Sequence, residues 1–316
     1  MPQIPFDPVC YAINSISMGD VIATAPVVKW AVENLHPNGG EYAVSVFPHF
    51  QELFEFIPSE RMKPYGIAHR YPSNYMIRYL NTLGLPPGVG RISSLRMNLS
   101  QFASIKLLDR LIPSEDLNYL PLREVGITQY PVELDRAVLI VTTHRDEVRH
   151  LPKEAVDGMV QWLLERNYQP VYIGKVDASS FWSDSPMKAT FDPPKGGLDL
   201  RNKTSILELA TLMKYSRAVV GVDSGPIHLA ATTDVPIICG YTTVAPEHRV
   251  PPRKKGLFFQ IQPDIACQYC QSNTNMHDHD YGTCYLGTIE CCKQMTAAKF
   301  IAALEQALAP LTRNAV

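Results

Sequence analysis

Apolar and polar positions along this chain switch repeatedly between the period of a strand and the period of a helix, and the switches mark out two separate series. Residues 9–14, Val-Cys-Tyr-Ala-Ile-Asn, are a short β-prone run, and 15–19 are turn chemistry. From 20 to 35 the apolar positions Val21, Ala25, Val28, Val32 and Leu35 recur at the spacing of a helix buried along one stripe. Asn38-Gly39-Gly40 breaks the pattern and 42–47 reads as a second strand, which completes a βαβ unit. Residues 58–122 carry no clean period: Pro64, Pro72, Pro86, Pro87 and Pro113 punctuate short helical pieces such as 75–83. Stretches this irregular commonly carry binding segments.

The second series begins at 137. Strands are expected at 137–142, 170–173, 218–222 and 236–240, with helices at 153–166, 205–214 and 227–232, and an amphipathic helix at 296–311 closes the chain. Strands alternating with helices predict α/β architecture, with parallel sheets and ligands at the carboxyl ends of the strands. Gly126, Pro131 and their polar neighbours at 125–136 suit a linker, which divides the chain into domains at 1–130 and 131–316.

The composition fits that picture. With 316 residues and 46% hydrophobic content, the chain can bury two cores of ordinary size. No apolar run approaches the roughly 20 residues needed to cross a bilayer. Residues 1–8 lack the basic and apolar blocks of a secretory signal, so the expected location is the cytoplasm. Seven cysteines are an odd number for a disulfide framework and are read as thiols.

The formal net charge of -2 conceals a cationic stretch in which Asp109 alone opposes Arg61, Lys63, Arg70, Arg78, Arg91, Arg96, Lys106 and Arg110. Tyr65, Tyr71, Tyr75, Tyr79 and Phe102 interleave with them. Such a surface suits an anionic partner, and its mixture of cations with aromatics suits a nucleic acid, with Arg61, Arg70 and Arg78 as candidate contacts. The same pattern also fits a solvated basic face over a tyrosine core.

The densest chemistry follows the strand at 218–222, which runs into Asp223-Ser224-Gly225-Pro226-Ile227-His228. Gly225 permits close backbone approach, and Pro226 fits the first helical turn. The exposed N–H groups of a helix start favour a phosphate without any metal. His228 lies one turn in, within reach of the same phosphates. A capped core helix is the plainer alternative.

The segment Gly221-Val222-Asp223-Ser224-Gly225-Pro226-Ile227-His228-Leu229-Ala230-Ala231 closely resembles the donor signature of the ADP-heptose:lipopolysaccharide heptosyltransferases. Lys203-Thr204-Ser205 upstream is similar to that family as well, as are Val235-Pro236-Ile237-Ile238 and Gly240-Tyr241-Thr242 downstream. The run from Thr142 to Pro152 resembles a family loop that sets a hydroxyl and a cation on the donor phosphates. It departs from the usual form in having Arg149 for Lys, Leu151 for Trp and one inserted residue. Ser15-Ile16-Ser17-Met18-Gly19-Asp20-Val21-Ile22, through Pro26, resembles the N-terminal loop whose aspartate is the catalytic base.

The resemblance implies a GT-B fold, with two Rossmann-like domains facing a central cleft and a final helix that crosses back to the first. It implies an inverting, metal-independent glycosyltransferase with no cofactor, moving heptose from a nucleotide-diphosphate sugar to an anionic acceptor such as lipopolysaccharide core. Asp20 would be the base. Thr142, Thr143, Arg149, Asp223, Ser224, Gly225, Pro226 and His228 would bind the donor, with Lys175 and Asp177 near its ribose and base. Such an enzyme would be cytoplasmic, in peripheral contact with the inner membrane.

Several alternatives stand beside these roles. Asp20 could be a plain N-cap, and Arg145, Arg149 and His150 could be solvated loop cations. The same fold serves glycosyltransferases of modified DNA bases, as in phages, and nucleotide-sugar epimerases or hydrolases. Cys267, Cys270, Cys284 and the Cys291-Cys292 pair, with His277 and His279 nearby, have spacing compatible with a structural zinc at Cys267, Cys270, Cys284 and Cys291. That site would suit a binding module with a zinc knuckle. A similar cysteine loop in the heptosyltransferases requires no metal, so free thiols are the favoured expectation.

Overall fold

A computed structural model describes residues 8–309 except 16, 38–39, 65–75, 82–96, 145–146, 177–187, 190–191 and 273–283. The chain forms two compact units, one of residues 1–120 with 247–252 and the other of 121–246 with 253–316.

The first unit holds strands β1 (Val9–Asn14), β2 (Tyr42–Val46), β3 (Met62–Pro64) and β4 (Met76–Asn81) in one sheet of order β3-β2-β1-β4. All three pairings are parallel. Every residue of β2 is buried, as a parallel strand covered on both faces requires. Helix α1 (Met18–Leu35) makes the crossover from β1 to β2. Its first turns are buried well beyond the expected stripe, since Ile22, Ala23, Thr24 and Val27 are covered along with Val21, Ala25 and Val28; Val32 and Leu35 are half-buried. Helix α2 (Leu99–Leu108) packs on α1 and is capped by Asn98, whose side chain accepts from the Ser100 and Gln101 amides.

The expected helical piece at 75–83 is instead β4. Its six residues pair with all of β1, from Val9↔Met76 to Asn14↔Asn81. Two edges of β1 need backbone partners in the interior, and β2 supplies only one. Ile77, Tyr79 and Leu80 suit a strand once that long-range demand is present.

The second unit contains β5 (Ala137–Val141), β7 (Gln169–Ile173), β9 (Leu198–Asp199), β10 (Ala218–Val222), β11 (Ile237–Gly240) and β12 (Phe258–Ile261). They form one parallel sheet of order β12-β11-β10-β5-β7-β9. The short strands β6 (Thr143–His144) and β8 (Lys188–Ala189) pair antiparallel beside it. The chain therefore grows outward from β5 through β7 to β9, then returns to the other flank of β5 and continues through β10, β11 and β12. Strand order reverses between β5 and β10, which makes the carboxyl ends of those two strands the topological switch point.

Helices α3 (Lys153–Glu165), α4 (Ile206–Tyr215), α5 (Gly225–Ala230), α6 (Glu290–Lys293) and α7 (Ala297–Leu308) complete the unit. Val138, Ile140, Met159, Leu163, Val220, Ile238, Phe300 and Leu304 belong to one buried cluster, and α7 packs on α3 within it. Helix α4 starts with a capping box between Ser205 and Glu208. The polar stretch expected as a linker is fastened to this unit: the Val125 amide donates to Thr211 Oγ1 at 3.1 Å and the Tyr130 hydroxyl to the Lys203 carbonyl at 2.8 Å. Among the described residues, no helix is long and apolar enough to cross a membrane.

Candidate functional site

At the switch point β5 delivers Thr142 and Thr143, and β10 delivers Asp223 and Ser224. Both threonines are buried. Gly221 lets the two strands lie close, because a Cβ there would stand 3.0 Å from the Val141 Cβ. Ser224 is the extended N-cap of α5, and its carbonyl accepts from the Ile227 and His228 amides at 3.0 and 3.3 Å. Its own hydroxyl is buried without a hydrogen-bond partner. Helix α5 has six residues, starting at Gly225 rather than at the expected 227. So short a helix has a small dipole, which leaves anion attraction here chiefly to side chains.

Those side chains meet on Asp223. The Arg149 guanidinium donates through Nη1 to Asp223 Oδ2 and to its carbonyl, each at 3.3 Å. His228 Nε2 stands 3.6 Å from Asp223 Oδ1. The aspartate and histidine side chains are each 5% exposed and the arginine 19%, so the carboxylate is taken out of water beside one guanidinium and one imidazole. Arg149 and His228 thus come together from two different βα loops. A buried carboxylate stands between them, a hub that local sequence pattern does not reveal.

The loop carrying Arg149 is tethered by elements far along the chain. Thr242 Oγ1 donates to the Val148 carbonyl at 2.5 Å, and the Cys284 amide donates to Glu147 Oε1 at 2.9 Å. His150 Nδ1 lies 2.6 Å from the Glu147 carbonyl, so His150 is engaged within its own loop rather than freely solvated. Lys175 is exposed, just past β7. Asp177 and Arg145 lie outside the described residues.

In the first unit, Ser17 is the N-cap of α1 and Asp20 is the third helical residue, which corrects the plain N-cap alternative. The helix begins two residues earlier than its apolar period suggests. The Asp20 carboxylate, half-buried, accepts at Oδ2 from the Ser15 hydroxyl at 2.9 Å, and that hydroxyl accepts from the Ser17 amide at 3.1 Å. A carboxylate held this way at the carboxyl end of β1 has a fixed direction, as a proton acceptor needs.

The cationic stretch is partly spent on packing. Arg61 lies 5.0 Å from the Tyr42 ring centre and donates to the Tyr42 carbonyl at 3.2 Å; Arg110 covers Trp30 at 5.5 Å and Lys106 covers Phe102 at 5.6 Å. Phe102 itself is core. Arg78 sits in β4 opposite Tyr11, with its side chain outside the described set. Arg70, Arg91, Arg96, Tyr65, Tyr71 and Tyr75 also lie outside it.

All seven cysteines are free thiols. Burial pushes Cys270 up to about 11, with added pressure from the charges of Cys267, Cys291 and Cys284. Burial likewise pushes Cys284 up, but the Ile289, Thr288, Leu286 and Gly287 amides outweigh it and lower that thiol overall. A hydrogen bond from Cys292 brings Cys291 down to about 7. Among the described residues, no three His, Cys, Asp or Glu side chains are placed to hold a metal ion; His277 and His279 are not in that set.

Residues 126–279 match the family model described as glycosyltransferase family 9 (heptosyltransferase). No curated protein matches the chain in sequence. Among solved structures, the chain is similar to the dodecameric iron-containing heptosyltransferase TibC of enterotoxigenic E. coli, solved in complex with ADP-D-beta-D-heptose. The identity there is 16%, the TM-score 0.70, and the match covers 98% of this chain and 80% of that one. A family 9 glycosyltransferase from Veillonella parvula matches at 13% identity and TM-score 0.65, covering 96% of this chain and 98% of its own. E. coli ADP-heptose lps heptosyltransferase II matches at 13% identity and TM-score 0.61, covering 95% and 98%. These likenesses identify the fold as GT-B, an α/β architecture of two Rossmann-like units.

Proposed function

We propose that this glycosyltransferase, whose residues 126–279 match family 9 (heptosyltransferase), transfers a heptose with inversion from an ADP-linked donor to a sugar hydroxyl of an anionic glycan such as lipopolysaccharide core. One observation carries the reading: the loops that follow β5 and β10 converge at the switch point, where Arg149 and His228 meet around Asp223. A phosphate placed there would find two buried threonines, a cation and an imidazole, and a carboxylate that orients both. The ADP-heptose complex of TibC supports the choice of donor.

In this reading the second unit holds the donor and Asp20 of the first unit acts on the acceptor. Asp20 takes the proton of the acceptor hydroxyl as its oxygen bonds to the anomeric carbon. The bond from that carbon to the donor phosphate breaks, and its electron pair leaves on the diphosphate. Charge then builds on the leaving group, where Arg149 and His228 meet it. The transfer uses no metal. Lys175 and Asp177 serve the nucleoside, while Arg61, Arg70 and Arg78 belong to the acceptor surface. The enzyme works in the cytoplasm, at the face of the inner membrane where such acceptors are assembled.

The test is ADP release from ADP-heptose with and without a deacylated core oligosaccharide bearing phosphate. Acceptor-dependent release with a new glycosidic product supports the reading. Equal release without acceptor would make the protein a hydrolase. Transfer to base-modified DNA, with salt-sensitive retention on DNA, would replace the glycan acceptor.

A further inference from the structure

The loop that follows β7 lies directly on the donor threonines. Gly174 ends the strand with φ of +121°, and a Cβ there would collide with the Thr143 hydroxyl. The other side of this loop is held by one residue from beyond β9. Asn202 adopts a left-handed conformation with φ of 60°. Its amide donates to the Gly174 carbonyl at 3.0 Å, its side-chain Oδ1 accepts from the Val176 amide at 2.9 Å, and its Nδ2 donates to the Val176 carbonyl at 3.0 Å. The side-chain amide therefore pairs with both backbone groups of one residue, as an added rung of sheet would.

Three hydrogen bonds from one residue fix residues 174–176 at the edge of the phosphate site. In a doubly wound sheet of this order, the carboxyl end of the strand beside the first one is where a nucleotide's ribose is met, and here that strand is β7. We propose that Asn202 is a positioning residue for the nucleoside half of the donor. It clasps the loop after β7, so that the nucleoside meets a fixed surface beside the phosphate site. The inference rests on the reading that the second unit binds a nucleotide-diphosphate sugar, and it adds a residue that carries nucleoside affinity without touching the phosphates.

The experiment is calorimetric titration of the full chain, wild type and Asn202→Gly, with ADP, adenosine and inorganic pyrophosphate. Glycine keeps the left-handed backbone and removes only the side-chain clasp. Loss of two side-chain hydrogen bonds should weaken ADP and adenosine by about 5- to 30-fold. Pyrophosphate affinity should stay within about twofold, an asymmetry that a merely structural role would not produce. Asn202→Asp, which keeps the bond from the Val176 amide and loses the donor, should fall between, and it serves if the glycine variant folds poorly. Unchanged adenosine affinity in both variants, or equal losses for adenosine and pyrophosphate, would overturn the clasp while leaving the donor site standing. A wild-type chain that binds neither ADP nor pyrophosphate would instead remove the donor reading itself.

Discussion

Replacing Arg149 with alanine removes the cation that joins the loops after β5 and β10, and its consequences separate cleanly. The guanidinium lies 3.3 Å from a carboxylate that is 5% exposed. At an effective dielectric of about 20, the gross attraction at that distance is roughly 5 kcal/mol, most of it offset by desolvation. Removing one partner of a fully buried pair costs about 3–5 kcal/mol. Here Arg149 is 19% exposed and His228 remains 3.6 Å from the other oxygen, so about 2–3 kcal/mol is expected. The thermal midpoint of a unit this size should then fall by about 5–10 °C. In the proposed donor site the same cation meets the diphosphate, so donor binding should suffer separately: kcat should drop about 10- to 1000-fold, with ADP and pyrophosphate weakened and adenosine unchanged. Arg149→Lys keeps the charge without the planar fork and should lie between. Titrations below both midpoints keep folding out of the comparison. An Arg149→Ala chain that binds ADP as wild type does, or loses adenosine as strongly as ADP, would refute the clamp.

Asp20→Asn should leave ADP affinity intact and lower transfer by about a hundredfold or more, the usual scale for a lost general base; unchanged turnover would remove Asp20 from the mechanism. The Arg201 fork, with bonds of 2.9 and 2.8 Å, holds the Asp199 carboxyl below its ordinary value near 3.8. Since the folded value is the depressed one, the pair's contribution is full above the unfolded value and is lost as pH falls through the folded one. Asp199→Asn should therefore be less stable than wild type in urea at pH 6, with the gap closing toward pH 3, and a gap independent of pH would contradict this. Among the half-exposed thiols, Cys284 should alkylate at neutral pH ahead of Cys270, which burial pushes up to about 11. Iron or zinc at one ion per chain, with Cys267, Cys270, Cys284 and Cys291 protected until chelation, would show a thiolate metal centre in their place.

Local pattern made β1, β5, β7 and β10 legible to within a residue or so, because each is a short apolar run bounded by turn residues and buried on both faces. The loops after β5 and β10 were legible for the same reason: Thr142 and Thr143 directly follow one such strand, and Asp223 to Pro226 another. Asp20 stands out in the sequence by its motif alone, and the apolar period sets the helix start two residues late, which is what makes it look like an N-cap. Strand β4 is not legible locally, since six residues of mixed pattern have no local preference strong enough to outweigh their neighbours.

What the chain alone determined, then, was where most strands and helices of the second series lie and which residues stand in the loops after β5 and β10, since both depend on residues within a few positions of each other. Tertiary structure decided the rest. In parallel sheets every strand pairs with one far away in sequence, so the order β12-β11-β10-β5-β7-β9, and with it the switch point, appears only when the sheet is assembled. The contact of Arg149 with Asp223 across 74 residues, and the clasp of Asn202 on Val176 across 26, exist for the same reason. Burying a carboxylate or a loop end forces it to find a partner, and which partner is nearest is settled by strand order rather than by any spacing along the chain.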